Sequence, residues 1–363
     1  MKKVTGLACF LILFQLQLRA TGDTVNLLFV GDVMQHLPQV NAAFEEGNYN
    51  YEPCFRYVKN EIEAAGLALA NLETPLGGKP YSGYPRFSAP DQIASALKET
   101  GFDVLLTANN HSCDRNGKGI GRTIKMLDSF GIKHTGMFAN ADERAERYPL
   151  MVEKNGFRIA ILNYTYGTNG IPVDKPYVVN LIDTGTMVKD LETAKLAAPD
   201  LIIAYLHWGT EYARKPNENQ KELADFLYCK GVHLIIGSHP HVIQHIEKRY
   251  QANGRCRGVI AYSLGNFVSN QSNTNTDGGA VLRVSIVKDS TGTFVAEAEY
   301  ALVWVYKPVE NRKRKYFILP AAEYENNSSF MDLTHQKKLK TFIDSSRKLL
   351  NEENIGVKEF RFN

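Results

Sequence analysis

The stretch "FDVLLTANNHSCDRN" (102–116) runs from an apolar segment of strand length into a polar series with an asparagine pair, a histidine and an aspartate. The polar end has two readings. It is a turn that caps the next helix, or it is one wall of a site that binds metal and moves protons. The same sequence grammar recurs on both sides of it, in "VNLLFVGD" (25–32), "LALANLE" (67–73), "FRIAILNYTYG" (157–167), "LIIAYLHWG" (201–209), "VHLIIGSHPH" (232–241) and "GVIAYSLGN" (258–266). Amphipathic patterns lie between several of these runs: "DQIASALKETG" (91–101), "GRTIKMLDSFG" (121–131) and "ENQKELADFLYCKG" (218–231), each closed by a glycine suited to a helix C-terminus. Strand-length runs alternating with helical patterns predict a layered α/β domain.

After Gly278 the pattern changes to "GAVLRVSIV" and "FVAEAEYALVWVY" joined by "KDSTGT", which predicts an antiparallel hairpin closing the sheet region. The basic "KPVENRKRK" that follows reads as a solvated loop, and the tail from Met331 to about Leu350 as one or two surface helices. No repeat or low-complexity linker divides the chain. The expected organisation is a signal peptide over 1–20, one domain over 24–320 and a C-terminal helical appendage over 321–363.

The first residues are unlike the rest. Lys2 and Lys3 precede an apolar stretch from Leu7 to Leu16, and small residues follow around Ala20. That stretch is short for a bilayer span and suits a signal-peptide core, so export is expected, with an uncleaved N-terminal anchor as the alternative. Without Lys2, Lys3 and Arg19 the formal net charge falls from +3 to zero. That balance gives no electrostatic footprint for a nucleic-acid partner. Hydrophobic residues at 44% and charged residues at 22% describe a folding, globular chain. The five cysteines, Cys9, Cys54, Cys113, Cys229 and Cys256, have no CxxC spacing, which removes a zinc-ribbon reading. Export would permit a disulfide among the last four.

The informative feature is where unusual polar residues fall. Asp32, Asn71, Glu73, Asn110, His111, His207, His239 and His241 all stand at or just after the ends of apolar runs, and His36 follows soon after Asp32. In open α/β sheets the strand C-termini face one crevice, where ligands bind. Taken singly, Asp32 reads equally as a helix cap, Glu73 as half of a surface ion pair and His207 as a core histidine. "SHPH" resists such explanations, because two imidazoles straddling a proline project from one rigid turn. Several neutral imidazoles, an amide oxygen and a carboxylate able to bridge suit a pair of zinc, iron or manganese ions rather than calcium. Two such ions activate a water and hold the oxygens of a phosphoryl or carbonyl group, leaving His111 for proton transfer. A serine-histidine triad has less support, since "YSLGN" lacks a G-x-S-x-G elbow.

With these residues in view, the sequence resembles the CapA family of capsule assembly, within the calcineurin-like metallophosphoesterase superfamily. The matching stretches are "GDVMQH" (31–36), "ANLETPL" (70–76), "YPRFSAPDQIASALKETGFDVLLTANNHSCDRNGKG" (84–119), "YTYGTNG" (164–170), "LHWGTEY" (206–212), "IIGSHPHVIQ" (235–244) and "YSLGNFV" (262–268). The resemblance implies a four-layer αββα sandwich of the metallo-dependent phosphatase type. It makes Asp32 a ligand of a first metal, Glu73 the bridging carboxylate and Asn110 an amide ligand of a second metal, with His207, His239 and His241 completing the imidazole set. It makes His111 the residue that protonates a leaving group, oriented by Asp114. The usual first motif has a histidine two positions after the aspartate; here that position is Met34, and the nearest histidine is His36.

Two classes of function follow. The first is an exported hydrolase or transferase with two divalent ions (manganese, zinc or iron) acting on a capsule or cell-envelope polymer, periplasmic or at the cell surface. The second is a scaffold without turnover in a membrane-bound polymer synthesis or export complex.

Overall fold

Alternation along the apolar runs sends side chains to two faces, and both faces are covered. In the strand Asp23–Val33, Val25, Leu27 and Phe29 enter one buried cluster while Leu28 and Val30 enter another. The strand Leu201–His207 divides likewise, with Ile203 and Tyr205 on one side and Ile202, Ala204 and Leu206 on the other. The first cluster is shared by two sheets packed face to face. A second lies between one sheet and the helices Gln92–Glu99 and Asn116–Ser129, through Ile93, Leu97 and Leu127. A third lies between the other sheet and the helices Thr184–Leu196 and Glu218–Cys229, through Met187, Leu191 and Leu227. The computed structural model, which describes residues 23–362, is therefore a four-layer αββα sandwich. The signal-peptide expectation over 1–20 lies outside the described residues.

The larger sheet has nine strands. Asp23–Val33, Leu67–Leu72, Val104–Leu106 and Lys133–Thr135 run parallel, and the hairpin Gly278–Asp289 and Gly292–Tyr306 extends the sheet antiparallel on the other side. The smaller sheet has six strands, and its four central ones, Phe157–Thr165, Leu201–His207, Leu234–Ser238 and Cys256–Ala261, are parallel. Parallel strands put their C-termini at one edge, so the polar ends identified in the sequence meet there.

Several elements differ from expectation. The run 102–110 yields only the three strand residues Val104–Leu106. The hairpin is tighter than "KDSTGT" suggested, since Asp289 pairs directly with Gly292. The helix Thr184–Leu196 and the edge strand Ile246–Tyr250 were not anticipated. The first carries a narrow apolar stripe, and the second carries Glu247, Lys248 and Arg249, as edge strands do. The tail, expected as a surface appendage, is a single helix, Leu333–Glu353, that buries Leu339, Phe342, Ile343 and Leu350 in the inter-sheet cluster. Beyond it, Lys358–Glu359 adds a short strand to the larger sheet. Cys54, Cys113, Cys229 and Cys256 are all free thiols. Among the described residues no helix is long and apolar enough to cross a membrane.

The two sheets are stitched together behind the strand ends by "YSLGN" (262–266). Asp32 N donates to Gly265 O at 3.0 Å, Leu264 N to Gly237 O at 3.2 Å, and Ala280 N to Leu264 O at 2.8 Å. The approach is so close that only glycine fits at two points. A Cβ on Gly31 would lie 1.9 Å from Gly265 O, and one on Gly237 would lie 1.9 Å from Tyr262 O. Both obstacles are backbone and cannot swing aside. Gly237→Ala should therefore cost about 3 kcal/mol or more, at or beyond the usual range for overpacking, measured as a lowered urea midpoint. A variant as stable as the parent would contradict this account of the crossing.

Candidate metal centre

The polar run that opened the sequence question is buried, and its backbone is held from both sheets. Asn163, inside the strand Phe157–Thr165 of the smaller sheet, accepts from Thr107 N at 3.0 Å and Ala108 N at 2.7 Å. Asn109 donates to Leu72 O at 2.9 Å, and Ser112 Oγ donates to Thr107 O at 2.7 Å. The run is thus a rigid buried loop, which presents Asn110 and His111 rather than capping the next helix. Its next charged residue, Asp114, stands 2.7 Å from His111 Nδ1 and also accepts from Phe87 N at 2.7 Å. An ionised carboxylate only accepts, so Nδ1 carries the proton in that pair and Nε2 is left for chemistry.

Asp32 is aimed by a β-bulge: the register with Leu67–Leu72 shifts between Val30 and Asp32, and the Val30 carbonyl accepts from the Tyr205 hydroxyl across the sheet interface. The Asn71 amide donates to Asp32 Oδ1 at 2.8 Å and lies 3.4 Å from both Glu73 Oε2 and His207 Nδ1. His207 Nε2 is 3.0 Å from Asn110 Oδ1, and His241 Nδ1 is 3.1 Å from Asp32 Oδ2. Asp32, Glu73, Asn110, His207, His239 and His241 therefore converge at one edge of the sandwich. His239 and His241 are both held at positive φ, 96° and 57°, which costs a non-glycine residue about 1–3 kcal/mol and is typical of functional turns.

His36 stands apart. Its Nδ1 is engaged by Gln39 Oε1 at 3.2 Å and Asn270 N at 3.4 Å, its ring meets Phe87 edge-on, and it is in neither group of residues whose ligand atoms cluster. Those groups are Asp32, Glu73 and His207, and Glu211, His239 and His241, each with ligand atoms within 4.8 Å of one another. Sequence reasoning passed over Glu211 although it lies inside "LHWGTEY", and over Asn163 and Asn266, the last 3.1 Å from His241 Nδ1. Of the aromatic residues quoted with the motifs, Trp208 packs beneath the site against Tyr262, whereas Tyr166 leans on His239 at a ring distance of 4.5 Å.

The donor set suits divalent cations. Glu73 Oε1 is fully buried without a hydrogen-bond partner, yet lies 3.6 Å from His207 Nε2 and 3.7 Å from His241 Nε2. His239 Nδ1 is likewise buried and unpartnered. Burial, and then repulsion from Asp32, hold the Glu73 carboxyl well above its ordinary range. For Asp32, burial is outweighed by the hydrogen bond and charge of His241, which hold it low. Burial, and then the neighbouring imidazoles, keep His207 well below its usual value and bring His239 to about 3. Imidazoles kept neutral, one with an unpartnered nitrogen, around a carboxylate with one unpartnered oxygen match what a metal requires.

Residues 26–271 match the family of bacterial capsule synthesis proteins, PGA_cap. The chain belongs to that family. Among PGA_cap relatives, it is 28% identical over 282 residues to the capsule biosynthesis protein CapA of Bacillus anthracis, covering 74% of this chain and 66% of that protein. It is 29% identical over 340 residues to the PGA biosynthesis protein CapA of Bacillus subtilis (strain 168), covering 90% and 84%. Among solved structures, the calcineurin-like phosphoesterase YfkN from Bacillus subtilis aligns with a TM-score of 0.47 at 13% identity, over 89% of this chain and 99% of that one.

The imidazole shifts set an acid limit for the PGA_cap fold. Burial places His36 and His233 near 4 and His239 near 3, against an ordinary 6.5, and His207 is also depressed. Unfolding below pH 6.5 then takes up protons, so stability present above 6.5 is lost as pH falls, by about 1.4 kcal/mol per pH unit for each imidazole. The raised Glu73 acts with the opposite sign above its ordinary 4.5, but the imidazoles outnumber it. Urea midpoints of chelator-treated protein should drop sharply from pH 7 to pH 5. A flat profile would contradict the buried, neutral histidines.

Proposed function

We propose that this protein is an exported enzyme of capsule or cell-envelope polymer biosynthesis, whose centre binds two divalent ions and carries out hydrolysis or group transfer at a phosphoryl or carbonyl group. The observation that carries the reading is the buried, unpartnered Glu73 Oε1 between His207 and His241. Asp32, Glu73 and His241 would hold one ion, and Glu73, Asn110, His207 and His239 the other. Bound there, manganese, zinc or iron would supply an acidified water and positive charge for the substrate oxygens.

The chain's own residues supply the rest. His111 lines a cleft of about 520 Å³ together with Asn110, Asp114, Tyr84, Arg86 and Glu211. Asp114 holds one proton of His111 at Nδ1, which leaves Nε2 as the position that would take up a second proton from solvent and pass it to a departing oxygen or nitrogen. Phe87 N fixes Asp114 in turn, so the imidazole is oriented from two directions. The leader-like residues 1–20 and the kinship with CapA proteins support an envelope location and a polymer substrate.

Met34, where the superfamily usually has a histidine, together with the separate position of His36, favours a second reading: a scaffold that keeps the fold for a membrane synthesis or export complex. His111 separates the two. In an enzyme, His111→Ala should keep its metal but slow turnover of phosphodiester or γ-glutamyl amide substrates by about 10²–10⁴-fold, while His239→Ala loses metal and activity together. Absence of turnover in the parent, with normal polymer assembly in cells carrying His111→Ala, would sink the catalytic reading.

A further inference from the structure

Glu211 is the one carboxylate at the site that the superfamily pattern does not assign. It sits in the loop after the strand Leu201–His207, exposed, and lines the same cleft as His111. The loop is tied to the histidine turn, since Tyr212 N donates to Pro240 O at 2.8 Å, with Tyr212 itself at a φ of 65°. That tether brings a Glu211 oxygen within 4.8 Å of ligand nitrogens on both His239 and His241. Among the described residues Glu211 has no ion-pair partner. Opposite it, His239 is almost wholly buried with Nδ1 unpartnered.

We propose that Glu211 is a direct metal ligand, closing the centre from the cleft side and taking the coordination place that Met34 leaves without an imidazole. The inference rests on the metal reading above and goes beyond it in naming a ligand and a preference. Three observations support the assignment. Glu211 adds negative charge near the buried Glu73, a repulsion that a cation between them would relieve. Two divalent ions carry four positive charges against the two of Asp32 and Glu73, so a third carboxylate brings the centre closer to neutrality. Glu211 also reaches His241, whose Nδ1 meets Asp32.

The consequence is an oxygen-rich set. Asp32, Glu73, Asn110 and Glu211 give oxygen to the centre, and His207, His239 and His241 give nitrogen, a balance that shifts preference toward manganese and away from zinc.

The test is titration of Mn²⁺ into chelator-stripped full-length protein by calorimetry, with metal content measured independently. The parent should bind two equivalents. Glu211→Gln, which keeps the shape and removes the charge, should lose at least tenfold in affinity for one equivalent and should narrow the preference for Mn²⁺ over Zn²⁺. Glu211→Asp should fall between the two. Because Glu211 is exposed, both metal-free variants should melt with the parent. Two equivalents bound by Glu211→Gln at parental affinity would overturn the assignment while leaving the metal reading standing. A parent that binds neither ion would overturn the metal reading, and this assignment with it.

Discussion

The backbone contact between Gly31 and Gly265, mirrored by that between Gly237 and Tyr262, sets the spacing on which the site depends. At both points one chain passes another at a distance that excludes a Cβ. The segment 262–266 thereby locks the ends of two strands from different sheets to a common frame. Asp32 follows one of these glycines directly, and Ser238 and the histidine turn follow the other. Side chains separated by more than two hundred residues reach hydrogen-bond distance because main chain, rather than side-chain packing, fixes their separation. Substitutions in the apolar clusters would perturb this frame only indirectly.

On that frame the sequence assembles groups that oppose one another electrostatically. Two carboxylates and three imidazoles share a buried volume, and no arrangement of protons satisfies all of them. Glu73 is driven toward its neutral form, Asp32 is held charged by His241, and His207 and His239 are kept neutral. Asn71 mediates between them by directing its amide hydrogens to Asp32 and toward Glu73. The positive φ of His239 and His241 adds backbone cost to the electrostatic cost. A fold that maintains such a cluster gives up stability that apolar residues in the same places would provide.

Much of this was legible in the sequence, for a physical reason. Parallel strands bury both faces and read as continuous apolar runs, so a polar residue at the end of one is conspicuous. Asp32, Glu73, Asn110, His207, His239 and His241 were singled out in that way, and the alternation of apolar runs with helical patterns pointed to a layered α/β domain. What stayed hidden depends on register between sheets. Asn163 looks like an ordinary strand residue until its amide is seen gripping the 107–108 backbone, and Glu211 looks like a solvated loop residue until Tyr212 is seen tied to Pro240. His36 shows the converse. Proximity to Asp32 in sequence suggested a ligand, but Gln39 and Asn270 hold its ring elsewhere.

The place of the first strand in the larger sheet has a further consequence, for the order of assembly. Asp23–Val33 is paired on one side by Leu67–Leu72, but on the other by Gly278–Asp289, and its end is met by Asn266–Val268. A chain emerging from a ribosome, or from a membrane pore, N-terminus first cannot complete this sheet until some two hundred and fifty residues later have followed. Until then the first strand keeps an open hydrogen-bonding edge, the feature that attracts chaperones and invites mispairing. Assembly is therefore slow and late, as expected when non-local pairing dominates. Of the described strands, the one that carries Asp32 is the first to emerge and among the last to have both its edges paired.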